Sequence, residues 1–308
     1  MAVNTITLAE VFQRTLDAHM NQRAATGFMV DNASQVEYNG GNKIKIPKMT
    51  LSGLGNYSRD TGYAQGAVGL TWEEREMTQD RGTQFHLDKM DVNETNFAAN
   101  AENLMGVFQT EKVIPEVDAY RISKLATYAI GNSATAAQNV EYGYTPAEAT
   151  IVAKLTAAVR KAKLSGVETV ILANSATMNA LECAAGKQLR ADSFRQGGFD
   201  ETIQWFNQAA VIEVEDERMV TAITTYNIDA SHNGGWVKGA TAKDINFIVL
   251  PRSIAIAVDK LDAPKIFSPD VVQNYDGWLI DYRRYHDLWV KDNDIKKIIV
   301  NIKDAASA

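Results

Sequence analysis

The chain has 308 residues, 45% of them hydrophobic and 22% charged, with a formal net charge of -7. That length permits two domains, or one domain with extended arms, and the acidic balance excludes a protein built to coat nucleic acid by neutralising phosphates. One cysteine, Cys183, rules out an intrachain disulfide, no run reaches the roughly 20 apolar residues of a spanning helix, and the first residues carry no basic signal-peptide region, so a cytoplasmic product without a membrane partner is expected.

Residues 7–20 read as a short amphipathic helix. Thr7 and Glu10 make a capping box, and Leu8, Val11, Phe12 and Leu16 share a face. Residues 21–42 are mixed and polar and end in Asn39-Gly40-Gly41-Asn42, a turn or flexible link. Lys43–Leu51 alternates polar and apolar residues and predicts a strand, placed at an edge because Pro47 cannot donate to a ladder. Residues 52–66 hold Gly53, Gly55, Gly62 and Gly66 with little apolar company, which predicts an extended loop. Val68–Thr78 and Thr83–Met90 read as two strands of a hairpin, turning at Gln79-Asp80-Arg81-Gly82. A two-stranded ribbon is marginal alone in water, so this one is expected to project towards a partner.

Asp91–Glu94 is a second capping box. Phe97, Ala101, Leu104 and Phe108, then Ile122, Leu125 and Ala129, keep helical spacing over residues 95–131. That is a helix of about 35 residues, roughly 50 Å long, with a kink or break expected at Pro115. Thr145-Pro146-Ala147-Glu148 opens a third helix, with Ile151, Leu155, Val159 and Ala162 on one face and Gly166 at its stop. Val167–Ala173 predicts a buried strand, and Asn174 or Ser175 caps a helix carrying Met178, Leu181 and Ala185 and ending at Gly186. Further strands are expected at Ala210–Val214, Val220–Tyr226, Ile245–Leu250 and Ile254–Val258, with a tail hairpin of Trp278–Val290 and Ile295–Lys303 turning at Asp292–Asp294.

No catalytic constellation emerges. Gly53-Leu54-Gly55 lacks the third glycine of a dinucleotide loop, since Ser58 stands there, and no helix pattern follows. Gly186-Lys187 lacks the earlier glycine of a phosphate loop. Gly131-Asn132-Ser133 trails a helix where a nucleophile elbow needs a strand. His19, His86, His232 and His286 have no metal-ligand spacing, and His232 falls in a turn. Cys183 lies between Leu181 and Ala184 on a helix and reads as a buried structural thiol. Glu213, Glu215, Asp216 and Glu217 could hold a divalent cation but read first as a solvated strand end. Arg283 and Arg284, between Tyr282 and Tyr285, suit cross-strand pairing better than nucleic-acid contact. No catalytic, metal or cofactor residue is therefore assigned.

Ile44–Met49, Gly53–Arg59, Leu70–Glu73, Thr78–Gly82, Met90–Thr95 and Glu116–Arg121 form an ordered series. In this order they resemble the major capsid proteins of tailed phages, the Hong Kong 97-type capsid fold, as found in phages and prophages of Gram-positive bacteria. The resemblance implies an α+β fold with an N-terminal arm at residues 1–42, an extended β-hairpin loop at 43–92 lying over a neighbouring subunit, a peripheral domain with the spine helix at 93–186, an axial domain at 187–275, and C-terminal strands at 276–308 returning to the peripheral domain.

It further implies a homo-oligomer of pentamers and hexamers in an icosahedral shell around double-stranded DNA, with a portal protein as partner and only weak direct DNA contact. The arm begins almost at Met1, which favours a separate scaffold protein, and no lysine lies between Lys48 and Lys89, which favours non-covalent joining. Trp72, Met77, Phe85 and Leu87 are the expected interface anchors, with Arg75, Arg81 and Lys89 setting register. The competing interpretation packs these residues on their own domain. Two other functions fit less well: an encapsulin-like nanocompartment shell, and a two-lobed soluble enzyme or ligand-binding protein.

Overall fold

The computed structural model describes residues 24–38, 43–57, 59–60, 62–88, 101–132, 139–185, 189–196, 199–267 and 276–306. The expected helix over 7–20 and the Asn39–Asn42 link lie outside them. The preceding link is partly core. Gly27–Gln35 forms a 3-10 helix whose Phe28 and Met29 are fully buried. Its Asn32 Nδ2 donates to the carbonyls of Arg252 and Ala255 at 2.7 and 2.8 Å, covering the start of a strand edge described below. A single short apolar run, Phe28-Met29-Val30, leaves no period to read, which is why the sequence suggested only a link.

The strands β1 (Glu37–Tyr38), β2 (Lys43–Leu51) and β3 (Val68–Glu76) form one antiparallel sheet in that order. β1 covers only Ile44 and Lys45, so Pro47 falls where β2 has a single neighbour, and its missing N–H costs no ladder bond on the open side. β2 and β3, joined by the loop expected over 52–66, are the arms of a long hairpin.

This corrects the hairpin expected from sequence. β3 does not pair with the next strand, β4 (Gln79–Asp88). β4 pairs instead with Gly277–Val290 (β14), which pairs in turn with Ala255–Phe267 (β13). Gln79–Gly82 is strand, not turn. Gly82 serves close approach, because a Cβ there would sit 2.9 Å from the Tyr282 carbonyl oxygen.

The spine is one helical run in three parts: α1 (Ala101–Phe108), a π-helical segment (Gln109–Val113) and α2 (Ile114–Gly131). The disturbance expected at Pro115 takes the form of that π turn: the ring has no N–H for a regular bond and crowds the preceding turn, and the wider helix relieves both. Met105, Val113, Ile114 and Val117 pack with Phe108 against Ile280 and Tyr282 of β14.

Seven strands form the second layer, in the order β5-β15-β12-β6-β9-β8-β7: β5 is Val140–Glu141, β6 Thr169–Asn174, β7 Arg190–Gln196, β8 Phe199–Phe206, β9 Ala209–Val214, β12 Ile245–Pro251 and β15 Ile299–Ile302. Strand alternation sends Val170, Leu172, Ile248, Leu250, Val300 and Ile302 to one face, where they meet Ile122, Leu125 and Ala129 of α2 together with Phe28 and Met29. Ile171, Ala173, Phe247 and Val249 go to the other face, under α3 (Glu148–Ala162) and α4 (Ser175–Ala185). A sheet covered on both sides explains the near-continuous apolar runs of β6 and β12.

α3 starts later than Thr145 suggested. Its N-cap is Ala147, in extended conformation and without a side-chain bond. Asn174 does cap α4, its Oδ1 accepting from the Thr177 N–H at 2.8 Å. β7, β8 and a short strand at Trp236–Lys238 (β11), paired with Ile223–Thr225 (β10), had no clear sequence signal.

Two expected groupings change. α3, β6 and α4 lie on the same sheet as β9 and β12, so a boundary at 186 would cut one sheet. The tail strands do not form a hairpin with each other. β14 joins β13 and β4, whereas β15 lies between β12 and β5. Both errors arise because long-range pairing leaves no local mark.

Candidate assembly interface

The β2–β3 hairpin holds most of the exposed large apolar side chains. Of twelve such residues among those described, eight lie between Met49 and Trp72, and Leu54 and Tyr63 at its tip are 107% and 89% exposed. Tyr57 and Tyr63 contact each other edge-on at 5.0 Å. A monomer rarely presents so concentrated an apolar surface. The hairpin's root, by contrast, is fixed. Ile44 and Ile46 are buried with Met77 and Trp289. Above them Arg75 Nη2 contacts Asp292 Oδ1 at 2.7 Å, and Lys48 Nζ contacts Asp292 and Glu73, each at 3.3 Å. Hydrogen bonds to Asp292 and Glu73 hold the Lys48 ammonium above its ordinary pKa.

Beneath the root is a buried ionic joint. Asp118 of α2 accepts from the Ala25 and Thr26 N–H groups at 3.0 and 3.1 Å and from Thr26 Oγ1 at 2.5 Å, which ties the incoming chain to the spine. Asp259 of β13 stands between Arg284 Nη2 at 2.8 Å and Arg121 Nη2 at 3.3 Å. Burial by itself would push its carboxyl up, but the Arg284 and Arg121 charges outweigh that and hold it down at about 2. Asp287 accepts from Thr78 N at 3.0 Å and Tyr120 Oη at 2.8 Å and pairs with Lys124 Nζ. Burial and the Arg284 charge drive the neighbouring His286 imidazole well below its ordinary pKa.

The expected anchors separate on this geometry. Trp72 is 44% exposed on the hairpin. Met77 is buried in its own chain. Phe85 packs edge-on against Phe108 at 5.0 Å, and Leu87 joins the same cluster. Arg81 is internal as well: Nε donates to Glu116 Oε1 at 2.7 Å, and Nη2 to the Tyr226 and Gly235 carbonyls at 2.9 and 3.1 Å. Arg75 serves the root, and Lys89 lies outside the described residues. Phe85, Leu87 and Arg81 lie on β4, a body strand, and Met77 lies in the link just before it, so none of the four is on the projecting hairpin. Leu54, Tyr57 and Tyr63 were missed, and their signal was apolar residues inside a glycine tract with no core to join.

The other candidates fall into place. Cys183 is exposed, not buried, because α4 turns Leu181 and Ala185 inward instead. His232 sits in a turn, stacked on Tyr226 at 4.0 Å. In the acidic run, Asp216 accepts from the Ser175 N–H at 2.9 Å and Glu215 pairs with Arg218, also at 2.9 Å. No group of three or more His, Cys, Asp or Glu converges as a metal site among the described residues. Arg283 pairs across the sheet with Asp80 at 2.6 Å.

Between the spine's π segment, β4 and the β10–β11 hairpin lies an open cavity of about 1290 Å³, walled in part by Phe85, Phe108, Pro115, Ile228 and Val237. Arg81 spans it and holds the β10–β11 hairpin to Glu116 of the spine.

A projecting hairpin, a long spine helix against a three-stranded sheet, and a helix-covered sheet beside them make up the Hong Kong 97-type capsid fold. In fold the chain is similar to the capsid of Ralstonia phage GP4 (TM-score 0.54, 10% identity, 89% of this chain and 86% of that one). It is likewise similar to the capsid of the cyanophage P-SCSP1u (TM-score 0.53, 12% identity, 88% and 85%) and to the mature capsid of bacteriophage PhiM1 (TM-score 0.52, 10% identity, 86% and 82%). No protein-family model and no curated protein matches the sequence. No helix among the described residues is long and apolar enough to cross a membrane.

Proposed function

We propose that this protein is the major capsid subunit of a tailed phage, self-assembling into an icosahedral head around double-stranded DNA and serving structure, not catalysis. The observation that carries this reading is the pairing of a capsid fold with a hairpin whose apolar residues have no place on their own subunit. Eight large apolar side chains exposed together on one hairpin mark a surface that another surface covers in the working state. Pentamers and hexamers would each repeat this contact, so that many modest interfaces sum to a stable shell. Trp72 is the expected anchor on the hairpin shaft and Leu54, Tyr57 and Tyr63 those at the tip.

The remaining parts follow the family's division of labour. Residues before Lys43 act as an arm, the spine and β13-β14-β4 as the peripheral body, and the seven-stranded sheet as the axial body. A separate scaffold protein and a portal are the other partners, and the virion is the destination. The test is assembly of the purified chain with and without its scaffold, followed by sedimentation and electron microscopy. Closed shells are expected from the wild-type chain. Leu54→Asp should leave monomer melting unchanged and prevent closure. A wild-type chain that stays a small monodisperse species under all conditions refutes the reading, and particles holding an enzyme cargo instead of DNA point to a nanocompartment.

A further inference from the structure

In a chain with a net charge of -7, a cation has carboxylates to spare. Outside the β2–β3 hairpin, the arginines with described side chains each pair with one, from Arg81 with Glu116 to Arg284 with Asp259, apart from two. Arg160 and Arg190 form no ion pair or hydrogen bond among the described residues, and they share one cavity. We propose that this cavity, at the end of α3, is a binding site for a phosphate-type oxyanion. The site stands apart from the capsid reading, because a single subunit contains all of it.

The cavity measures about 600 Å³, and three parts of the fold wall it. α3 contributes Thr156 and Arg160, one turn apart on one face. β7 begins with Arg190, and the β8–β9 turn adds Asn207 and Gln208. Each of these five residues has a side-chain hydrogen-bond donor. Asp192 is the one acid of the wall among the described residues, and its Oδ1 accepts from the Ser193 N–H at 2.8 Å. Two cations therefore face one anion. Donors arriving from three directions suit a tetrahedral anion better than a planar carboxylate, and guanidinium forks match phosphate oxygens in pairs.

Folding alone explains only part of this wall. The last turn of a helix favours a cation for its own sake, so Arg160 by itself has another reason to be there. Arg190 opens a strand and has no such reason. The turn shows a similar excess. Asn207 and Gln208 both have positive φ, 50° and 67°. Two such residues make a tight two-residue hairpin turn, in which glycine is the usual second occupant. Gln208 keeps a long carboxamide at that place against the backbone's preference, and it lines the cavity.

The test is equilibrium dialysis of the full-length chain against labelled inorganic phosphate, at constant ionic strength in chloride. Wild type should bind phosphate. Arg160→Gln with Arg190→Gln should weaken binding at least tenfold and leave melting in phosphate-free buffer unchanged, since both side chains are exposed and unpaired. Phosphate should raise the melting temperature of wild type and not of the double variant. A second arm adds a short double-stranded DNA. DNA binding that phosphate competes away and the double variant lacks names the DNA backbone as the source of the anion; any other DNA result assigns the site to free phosphate. Absence of phosphate binding by wild type, or equal binding by the double variant, overturns the proposal and leaves the capsid reading standing. Should the double variant fail to fold, the two single changes decide: weaker phosphate binding in either supports the site, and wild-type binding in both rejects it.

Discussion

Replacing Asp259 with asparagine should be among the most damaging single changes in the body of the protein. The carboxylate lies between two arginines that are each 1% exposed. Its pKa of about 2, against an ordinary 3.8, makes it a pH-linked source of stability. A carboxylate depressed on folding stabilises fully above 3.8, and that contribution is lost as pH falls towards 2. At about 1.4 kcal/mol per pH unit the depression is worth about 2 kcal/mol at neutral pH. Asparagine keeps the shape but leaves Arg121 and Arg284 as neighbouring buried cations, so the full cost should reach about 3–5 kcal/mol, the usual penalty for breaking a buried pair. The assay is urea unfolding of wild type and Asp259→Asn, at subunit concentrations too low for association. The gap should be about 3–5 kcal/mol at pH 7 and shrink by about 2 kcal/mol as pH falls from 5 towards 2. A gap under about 1 kcal/mol at pH 7, or one that ignores pH over that range, refutes this account of the joint.

Gly82→Ala should cost about 1–3 kcal/mol in the same unfolding assay, because the new Cβ has only 2.9 Å to the Tyr282 carbonyl oxygen and backbone must move. Asn174→Ala removes the cap of α4 and should cost about 1 kcal/mol, with hydrogen exchange rising first at the Thr177 amide. His286 gives the opposite protonation case to a salt-bridged histidine. Burial and Arg284 hold it neutral well below 6.5, so the unfolded chain takes up the proton first. Stability should therefore fall by about 1.4 kcal/mol for each pH unit below 6.5, and His286→Gln should flatten that slope between pH 6.5 and 5.

What could be read from sequence was what local physics writes locally. The apolar runs at β6 and β12, the Asn174 cap, the long helix and the disturbance at Pro115 all follow from spacing or from one residue's covalent geometry. Strand partners do not. Gln79-Asp80-Arg81-Gly82 has the composition of a turn, yet those residues lie in the ladder against Arg283–His286, some two hundred positions later. That one misassignment placed Phe85 and Leu87 on the arm. The projecting hairpin was legible in kind, with Trp72 on it, but its most exposed apolar residues were not. Leu54, Tyr57 and Tyr63 lack any periodicity because they join no core of their own chain. Cys183 misled in a similar way, since Leu181 and Ala185 do face inward and the helix turn between them does not.

The place of β15 bears on how the protein is made. Residues 299–302 form an interior strand, with β12 on one side and β5 on the other. A nascent chain on the ribosome cannot close this layer until residue 302 has emerged, by which time the sticky arm has been exposed for most of translation. A product that stops short of β15 leaves the edge of β12 open and the layer unfinished, with an aggregation-prone ladder unpaired. The seven-stranded layer is therefore complete only in a polypeptide that extends through residue 302.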